Sequence, residues 1–458
     1  MDTTSIAAIA TAPGTGAIGL IRVSGHDSIE LVSGIFKGKD LKNASANTVH
    51  LGKILDSNDQ ILDEVLVTVF RSPHSYTGED LVEISCHGST FILQTVLNRI
   101  LECGAVPAKA GEFSMRAFIN GKMDLSQAEA VADLIASETQ AAQKLAISQL
   151  KGGIKNEIQE LRSELLHFIS LLELELDFAE EDVEFADREN LNSLLQKVQQ
   201  HILKLHASFD LGNAVKQGVK TVIAGRPNAG KSTLLNALLQ EDRALVSDIA
   251  GTTRDTIEEI LNIQGILFRL IDTAGLREAQ DQIEKMGVER SMEKIKESSV
   301  LVYVFDVLEM SKEQLWKDIE KLKQTGQKLL VIANKMDLNP GIDYENYVNE
   351  ILSKNQIIPC SAKNKMNLDY IKTRLYEMVL GDSKIQDHSI AINARHQDAL
   401  QKSIHHINAA IEGMQSGLQS DLLAQHIRHA LYHLSEISGE ITNDEILGNI
   451  FGKFCIGK

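Results

Sequence analysis

The most chemically specific stretch of the chain is the loop G-R-P-N-A-G-K-S at residues 225–232. An apolar run precedes it and an amphipathic run follows it, which predicts a strand, the loop and then a helix. Glycines let successive backbone N–H groups turn inward around a phosphate, and the N-terminus of the helix adds positive potential. The Lys231 ammonium can reach the outer phosphates, while the Ser232 hydroxyl can bind Mg²⁺. The contacts expected from this phosphate loop are Asn228, Ala229, Gly230, Lys231, Ser232 and Thr233.

Two later segments complete the expected phosphate and metal contacts. An apolar strand ends at Asp272, where the carboxylate would lie behind Mg²⁺, and the N–H of Gly275 would face the terminal phosphate. The polar segment between the loop and this strand offers the Thr253 hydroxyl as a second Mg²⁺ ligand. The nucleotide contacts expected from the two segments are Ser247, Asp248, Ile249, Ala250, Gly251, Thr252, Thr253, Asp272, Thr273, Ala274 and Gly275.

The base is expected to lie against N-K-M-D at residues 334–337, which follows a further apolar strand. The Asp337 carboxylate can accept hydrogen bonds from both N1–H and the 2-amino group of guanine, a pair of donors that adenine lacks. The order and spacing of the motifs therefore predict a guanine-nucleotide site. The other base contacts are expected from Asn334, Lys335, Ser361, Ala362 and Lys363.

One position departs from the Ras-type pattern of GTP hydrolysis. Small GTPases of that type carry a glutamine after the glycine of the second motif, and it orients the attacking water. Leu276 occupies this position and offers no polar group, so hydrolysis must use another residue, an ion or a partner. Glu284 is the candidate for positioning the water. From the sequence alone, a solvated surface carboxylate explains Glu284 equally well.

The composition indicates a globular protein of about three domains. The 458 residues are 43% hydrophobic and include 6 prolines and 31 glycines, which argues against long disordered linkers. No apolar run is as long as a membrane span, and the first residues lack the pattern of a signal peptide. Four cysteines without a C-x-x-C pair indicate a reducing cytoplasm. The net charge of −17 excludes a general nucleic-acid coat, so a polynucleotide would need a local basic patch or a second protein.

The hydrophobic periodicity divides the chain into four regions. Residues 1–120 mix strand and helix patterns and predict an α+β domain, in which the glycines at 14–19 lack the following helix that a dinucleotide loop needs. Residues 214–380 alternate strands and helices, which predicts a doubly wound, mostly parallel sheet. Residues 121–213 and 381–458 are helical. We therefore expect the α/β domain to be inserted into a helical domain whose two parts pack together as a bundle.

The longest predicted helices are 126–150, 154–176, 190–209, 396–414 and 421–437. A last helix should begin at the capping box at 442–445. The acidic run at 173–182 has two interpretations, a metal site or the solvated end of a helix, and the second is the commoner origin of such runs.

The nucleotide motifs together resemble those of the Era-like translation-factor GTPases, and the ends of the chain narrow the resemblance. The terminal F-C-I-G-K at 454–458, with L-G-N-I-F at 447–451, is similar to the tRNA modification GTPase family MnmE (TrmE). The segments at 77–80, 111–114 and 116–118 match the N-terminal domain of the same family. The similarity covers the whole chain.

The resemblance implies an N-terminal domain that binds 5-formyl- or 5,10-methylene-tetrahydrofolate and forms a homodimer. It implies a Ras-like P-loop G domain inserted into the helical domain. It further implies a heterotetramer with the FAD-containing protein MnmG (GidA). The pair would add an aminomethyl or carboxymethylaminomethyl group to carbon 5 of the wobble uridine of certain tRNAs.

The resemblance also implies roles for individual residues. In this family K⁺ takes the place that an arginine finger holds elsewhere, and Glu284 matches the water-orienting glutamate. Cys455 would act in modification, whereas composition alone suggests a buried structural cysteine. The implied K⁺ ligands are Asn228, Ser247, Ile249 and Thr252.

The implied folate contacts are Arg22, Glu83, Lys122 and Lys458. The three cationic side chains could meet the anionic glutamate tail of the folate, and the glutamate could accept from the donors of a pterin-like ring. Without the resemblance, these four residues would be interpreted as exposed or ion-paired surface charges.

A second class of function is a ribosome-assembly GTPase that binds rRNA. That interpretation expects a basic appended RNA-binding domain, such as a KH fold with its G-x-x-G loop. The regions outside the α/β domain are acidic or neutral, and the terminal C-I-G-K has no role in it. A purely structural helical scaffold cannot explain four ordered nucleotide motifs. The resemblance instead implies a K⁺-dependent GTPase of tRNA modification.

Overall fold

A computed structural model describes residues 4–177, 188–241, 258–272, 295–380, 393–442, 444–452 and 454–457. Its contacts divide the chain into two compact units. The first contains Met1–Ala132, Gln149–Ile202 and Asp398–Lys458, and the second contains Asp133–Ser148 and Leu203–Gln397. The domain boundaries expected from the sequence stay predictions.

The strands and helices are numbered in chain order. The strands are β1 (Ile6–Ile9), β2 (Ile18–Ser24), β3 (Phe36–Lys37), β4 (Thr48–Leu55), β5 (Ile61–Phe70), β6 (Leu81–His87), β7 (Val106–Pro107), β8 (Val219–Ala224), β9 (Glu258–Ile263), β10 (Ile266–Asp272), β11 (Val300–Asp306), β12 (Lys328–Asn334) and β13 (Ile357–Pro359). The helices are α1 (Ser28–Ser33), α2 (Thr90–Glu102), α3 (Glu112–Ile119), α4 (Leu125–Ile135), α5 (Gln140–Leu150), α6 (Gly153–Asp177), α7 (Arg188–Ala207), α8 (Phe209–Gln217), α9 (Lys231–Glu241), α10 (Lys312–Leu322), α11 (Leu368–Leu380), α12 (Ala394–Gln415), α13 (Ser420–Ser438) and α14 (Asp444–Phe451).

The first unit opens with a seven-stranded sheet in the order β3-β4-β5-β6-β2-β1-β7. Neighbouring strands are antiparallel except β1 and β7. Side chains alternate between the two faces of β5, so Val65 and Val67 are buried while Leu66 is exposed. Helices α1 and α2 cover the buried face. The other face leaves Leu66 and its cross-strand partner Leu51 in solvent.

The helical part of the first unit is a bundle made from both flanks of the α/β region. Helix α6 packs along α13. His201 on α7 contacts Glu157 on α6, with 2.5 Å between Nε2 and Oε2, and Gln199 on α7 donates to Asn408 on α12 at 2.6 Å. Segments more than 200 residues apart therefore share one core, as the sequence predicts.

The second unit contains a six-stranded sheet in the order β13-β12-β11-β8-β10-β9. All neighbours are parallel except β9 and β10. Strand β11 is buried along its whole length. Val302 and Val304 face a core that includes α9 and α11, while Tyr303 and Phe305 face a core that includes α10. Helices therefore cover both faces of a mostly parallel sheet, and the predicted fold class is confirmed.

The single helix predicted at 126–150 is wrong, because the chain forms α4 and α5 with a break between them. The Ser137 hydroxyl donates to the Leu134 carbonyl at 2.7 Å, and the Ala142 N–H donates to the Thr139 hydroxyl at 3.1 Å. Short hydroxyl side chains that bond to nearby backbone favour helix ends over helix interiors. Apolar periodicity alone does not reveal such a break.

None of the helices in the described part of the chain combines the length and apolar character that a membrane crossing requires.

Leu434 on α13 is fully buried in the bundle, whereas Leu422 on the same helix is 41% exposed. Leu434→Ala should lower the free energy of opening of α13 by about 2–5 kcal/mol, because it leaves a cavity in the core. Leu422→Ala should change it by less than about 0.5 kcal/mol. Native-state hydrogen exchange of α13 peptides measures both. Equal effects of the two substitutions would contradict this packing.

Candidate functional site

The glycine loop lies between the end of β8 and the start of α9, as the sequence predicts. Gly225 has a φ of 149° and Gly230 a φ of 93°. A Cβ added to Gly225 would lie 2.1 Å from the Val304 carbonyl oxygen, and one on Gly230 would lie 2.2 Å from Asn334 Nδ2. Both positions therefore require glycine. Asn228 also has a positive φ, 60°, and its side chain is exposed on the loop.

Lys231 is held on the loop by two carbonyl groups. Its Nζ donates to the carbonyl oxygen of Gly225 at 3.0 Å and to that of Arg226 at 2.9 Å. These contacts keep the ammonium beside the loop whose N–H groups would surround a phosphate. Ser232 and Thr233 follow in the first turn of α9, and both are exposed. The described residues thus fit an anion at the N-terminus of α9.

Asn334 connects three segments of the site. It is the last residue of β12 and is 2% exposed. Its Nδ2 donates to the Ala229 carbonyl in the phosphate loop at 2.9 Å, and its Oδ1 accepts from the Ala362 N–H at 3.0 Å. One buried amide side chain therefore fixes the phosphate loop relative to the segment expected over the base.

Asp337 is oriented by Ser361. The Ser361 hydroxyl donates to Asp337 Oδ1 at 2.7 Å and accepts from the Asn364 N–H at 3.2 Å. Lys363 follows with an exposed side chain. Asp337 is half-buried, so its carboxylate is fixed at the edge of the site with part of its surface accessible to a ligand.

Two acidic groups that the sequence interpretation missed support these loops. The first is Asp306, whose Oδ2 pairs with Lys335, at a φ of 66°, at 2.6 Å. Asp306 is buried and also accepts from the Leu308 N–H at 2.9 Å. The available sequence signal was a single acidic residue at the end of the apolar strand at 300–306.

The second missed group is Asp318 on α10, which anchors the phosphate loop from outside. Arg226 Nε donates to its Oδ2 at 2.9 Å, and the buried Tyr303 hydroxyl donates to the same oxygen at 2.6 Å. Partial burial acts to raise the pKa of Asp318, but the hydrogen bonds from Arg226 and Tyr303 outweigh it, so the pKa lies below its usual value. Burial raises the pKa of Tyr303, which therefore stays a hydroxyl donor.

Part of the predicted site lies at or beyond the limits of the described residues. Asp272 is the last residue of β10 and pairs with Ile223 of β8, so its backbone lies next to the strand that leads into the phosphate loop. The predicted residues outside the described ranges are Ser247, Asp248, Ile249, Ala250, Gly251, Thr252, Thr253, Thr273, Ala274, Gly275, Glu284 and Lys458.

A second group of predicted residues lies in the first unit. Arg22 donates to Glu83 Oε1 from Nε at 3.0 Å and from Nη2 at 2.7 Å. Its guanidinium lies 5.3 Å from the ring centroid of Tyr76 and 5.6 Å from that of Phe113. Its Nη1 donates to the Gly457 carbonyl at 3.2 Å, so the C-terminal tail reaches the same place.

Lys122 and Cys455 lie around this group. Lys122 Nζ donates to the Pro73 carbonyl at 2.9 Å, in the segment that carries Tyr76. Cys455 is exposed, which differs from the buried alternative considered for it. Its carbonyl accepts from the Gly111 N–H at 3.5 Å at the start of α3. Sequence patterns did not single out Tyr76 or identify its contact with Arg22.

Two family models match the chain. Residues 5–122 match the GTP-binding protein TrmE N-terminus, and residues 125–455 match the MnmE helical domain. The chain is 49% identical over 456 residues to the tRNA modification GTPase MnmE of Cytophaga hutchinsonii, covering 100% of this chain and 98% of that protein. It is 48% identical over 462 residues to the protein of the same name from Flavobacterium johnsoniae, covering 99% of each.

Solved structures give a weaker comparison. Era in complex with MgGDPNP and a 16S ribosomal RNA segment is 25% identical, covers 41% of this chain and 66% of that chain, and has a TM-score of 0.29. The FeoB G-domain from Methanococcus jannaschii is 23% identical, covers 35% of this chain and 97% of that chain, and has a TM-score of 0.27. Because one family model covers most of the chain and close relatives match it from end to end, the chain belongs to the tRNA modification GTPase family MnmE (TrmE).

Proposed function

We propose that this chain is a K⁺-dependent GTP hydrolase that acts in tRNA modification. With the FAD-containing protein MnmG as partner, it would add a (carboxymethyl)aminomethyl group to carbon 5 of the wobble uridine. The observation that carries the nucleotide part is the connection of Asn334 to both the phosphate loop and the Asp337–Ser361 edge. The names of the relatives, tRNA modification GTPase MnmE, support the tRNA part.

The base edge would select guanine through Asp337. Its carboxylate would accept from N1–H and the 2-amino group, while the Ser361 hydroxyl keeps it in that orientation. Adenine would present no matching donors and would leave the half-buried carboxylate without those partners. The same contact that orients the acid therefore accounts for discrimination between purines.

The phosphate loop would bind and orient the triphosphate. Its N–H groups and Lys231 would stabilise negative charge on the phosphate oxygens while water attacks the terminal phosphorus. The bond from that phosphorus to the bridging oxygen breaks, and GDP and inorganic phosphate result. Because Leu276 cannot orient the water, we assign that role to Glu284.

Two cations would suit the neutral oxygens expected at this site. When bound, Mg²⁺ at Ser232 and Thr253 and K⁺ at Asn228, Ser247, Ile249 and Thr252 would offset the charge that builds up on the phosphates. Among these residues, Ser232 and Asn228 lie in the described part of the chain, and the side chains of both are exposed. Asn228 offers an uncharged amide oxygen directly beside the expected phosphates.

The Arg22 cluster fits a folate in the first unit. When bound, 5-formyl- or 5,10-methylene-tetrahydrofolate would supply the one-carbon unit of the modification. Glu83 would accept from the pterin donors with its partner Arg22 beside it, and Lys122 and Lys458 would bind the anionic glutamate tail. The Tyr76 ring is close enough to Arg22 to form one wall of such a site. Cys455 is exposed nearby on the tail that Arg22 contacts.

An exposed apolar sheet face supports the proposed homodimer. Ile18, Val49 and Leu51 are 69%, 57% and 64% exposed, and Leu66 lies opposite Leu51. Exposed apolar patches of this kind commonly mark association surfaces. A second copy would cover it, and the MnmG partner would complete a heterotetramer.

No observation favours the ribosome-assembly alternative. Residues 5–122 and 125–455 match the TrmE N-terminus and MnmE helical models instead of a KH fold.

Asp337→Asn replaces an acceptor oxygen by an amide donor at the base edge. GTP affinity should fall by about 10²-fold or more, because the amide meets the guanine donors with N–H groups. Xanthosine triphosphate has a carbonyl in place of the 2-amino group, so it should bind to Asp337→Asn more tightly than to the unsubstituted protein. Equilibrium dialysis with both nucleotides measures this. Asp343→Asn, at an exposed cap, is the control, and an unchanged preference for GTP in Asp337→Asn would refute the assignment.

GTP hydrolysis should be at least about tenfold faster in K⁺ than in Na⁺ at matched ionic strength, because the ion offsets charge in the transition state. Asn228→Gly keeps the positive φ and removes the amide, so the difference between the salts should shrink. Asn339→Gly, at an exposed loop position, should retain it. Phosphate release gives the rates. Identical rates of the unsubstituted protein in both salts would exclude the ion mechanism.

Cys455→Ser should leave GTP hydrolysis nearly unchanged and reduce tRNA modification, because the exposed thiol lies by the proposed folate site rather than in the nucleotide site. Liquid chromatography of nucleosides from tRNA of cells that carry the variant measures modification. Cys103→Ser, at a half-buried position after α2, serves as the control for replacing a thiol. Full modification by Cys455→Ser would remove this residue from the chemistry.

A further inference from the structure

Helices α12 and α13 bring together a cluster of histidines that no nucleotide or folate role uses. The His406 ring on α12 lies 5.8, 4.9 and 5.7 Å, centroid to centroid, from His426, His429 and His433 on α13. The His405 ring lies 5.4 Å from it. The cluster is formed within the first unit.

The spacing along α13 explains the convergence. Residues 426, 429 and 433 are separated by three and four positions, which places them on one face of a helix. The His406 and His426 rings meet through their Nδ1 atoms, which are 3.5 Å apart. With both rings neutral, one Nδ1–H donates to the other Nδ1, so the two rings hold different tautomers.

The electrostatic setting favours the neutral form of the central imidazole. Partial burial, followed by the charges of His429, His433, His405 and His426, lowers the pKa of His406 below its usual value. A neutral imidazole has a nitrogen lone pair, which is the form that binds metal ions. Below this pKa protons would compete for the same nitrogens.

We propose that His406 and His426 form a clamp for a divalent transition ion such as Zn²⁺, Ni²⁺ or Cu²⁺. Two nitrogens bound tetrahedrally to Zn²⁺ at about 2.0–2.1 Å lie about 3.4 Å apart, close to the separation of the two Nδ1 atoms. Imidazole suits these borderline ions, whereas Mg²⁺ prefers oxygen ligands. For both Nδ1 atoms to bind the ion, the ring that donates in the hydrogen bond shifts its proton from Nδ1 to Nε2.

The tautomer of His433 suits it to serve as a further ligand of the ion. Its Nδ1 lies 2.9 Å from Glu436 Oε2, so the carboxylate holds the Nδ1–H tautomer and leaves the lone pair on Nε2. Metal-binding histidines commonly donate their other N–H to a carboxylate in this way. Lys402 on α12 and Asp398 add the nearby charges, and Lys402 also interacts with Glu436.

The site is open rather than complete. In the described part of the chain, no group of three or more His, Cys, Asp or Glu side chains is arranged to hold a metal ion. A third protein ligand therefore requires rotation of the His429 or His433 side chain, and water fills the remaining positions. The site is accordingly exchangeable and links α12 to α13. Binding to the folded bundle stabilises it by mass action.

Co²⁺ is the probe for this site. The full-length protein, stripped with chelator, is loaded with GDP and excess Mg²⁺ so that the nucleotide site is occupied. Co²⁺ titration should give visible d–d absorption that saturates at one ion per chain. His406→Gln and His426→Gln, made separately, should each weaken binding at least about tenfold. His26 lies outside the cluster and its side chain is 84% exposed, so His26→Gln should bind Co²⁺ as the unsubstituted protein does.

Zn²⁺ alone gives the second readout. Hydrogen exchange in peptides of α12 and α13 should slow on addition of Zn²⁺ and should not slow in His426→Gln. His426 is only half-buried, and circular dichroism checks that the variant keeps its helices. Saturable Co²⁺ binding that both histidine variants retain, or an absence of saturable binding, would overturn the proposal.

Discussion

The proposed nucleotide site depends on one buried amide. Asn334 ends β12, and its side chain donates to the phosphate loop through Ala229 and accepts from Ala362 in the segment after β13. Parallel strands place their carboxyl ends at one edge of the sheet, but this alone does not fix the loops relative to one another. The two hydrogen bonds do so, and burial makes their loss costly because the freed polar groups would have no water. Gly230 is required by the same contact, since a Cβ there would meet the amide.

A comparable connection organises the first unit around Arg22. This guanidinium contacts Glu83 on the neighbouring strand β6, two aromatic rings and the carbonyl of Gly457 in the C-terminal tail. The tail therefore returns to a strand near the start of the chain. Gly457, with a φ of 96°, lies where a Cβ would meet the Ile9 carbonyl at 2.6 Å. A short terminal segment is thus fixed beside the residues proposed to bind folate.

Part of this arrangement was predictable from the sequence, because it depends on residues that are close together in the chain. The phosphate loop was recognisable because glycines and Lys231 act within a few residues of one another. The Lys335–Asp306 pair was not, because it depends on β11 and β12 being neighbours, with Asp306 beside Asn334 in the register. The break before α5 was missed because a side-chain bond to Thr139 overrides a continuous apolar pattern. Exposure of Cys455 depends on where the tail folds, which composition does not encode.

Three loops, held together by Asn334, would form a site whose base edge accepts guanine and rejects adenine. Isothermal titration calorimetry of the full-length protein with GTP and with ATP, both in Mg²⁺, tests this most directly. The arrangement of Asp337 and Ser361 predicts heat of binding for GTP and an affinity for ATP weaker by about 10³-fold or more. Equal affinities for the two nucleotides, or an absence of binding by either, would contradict it.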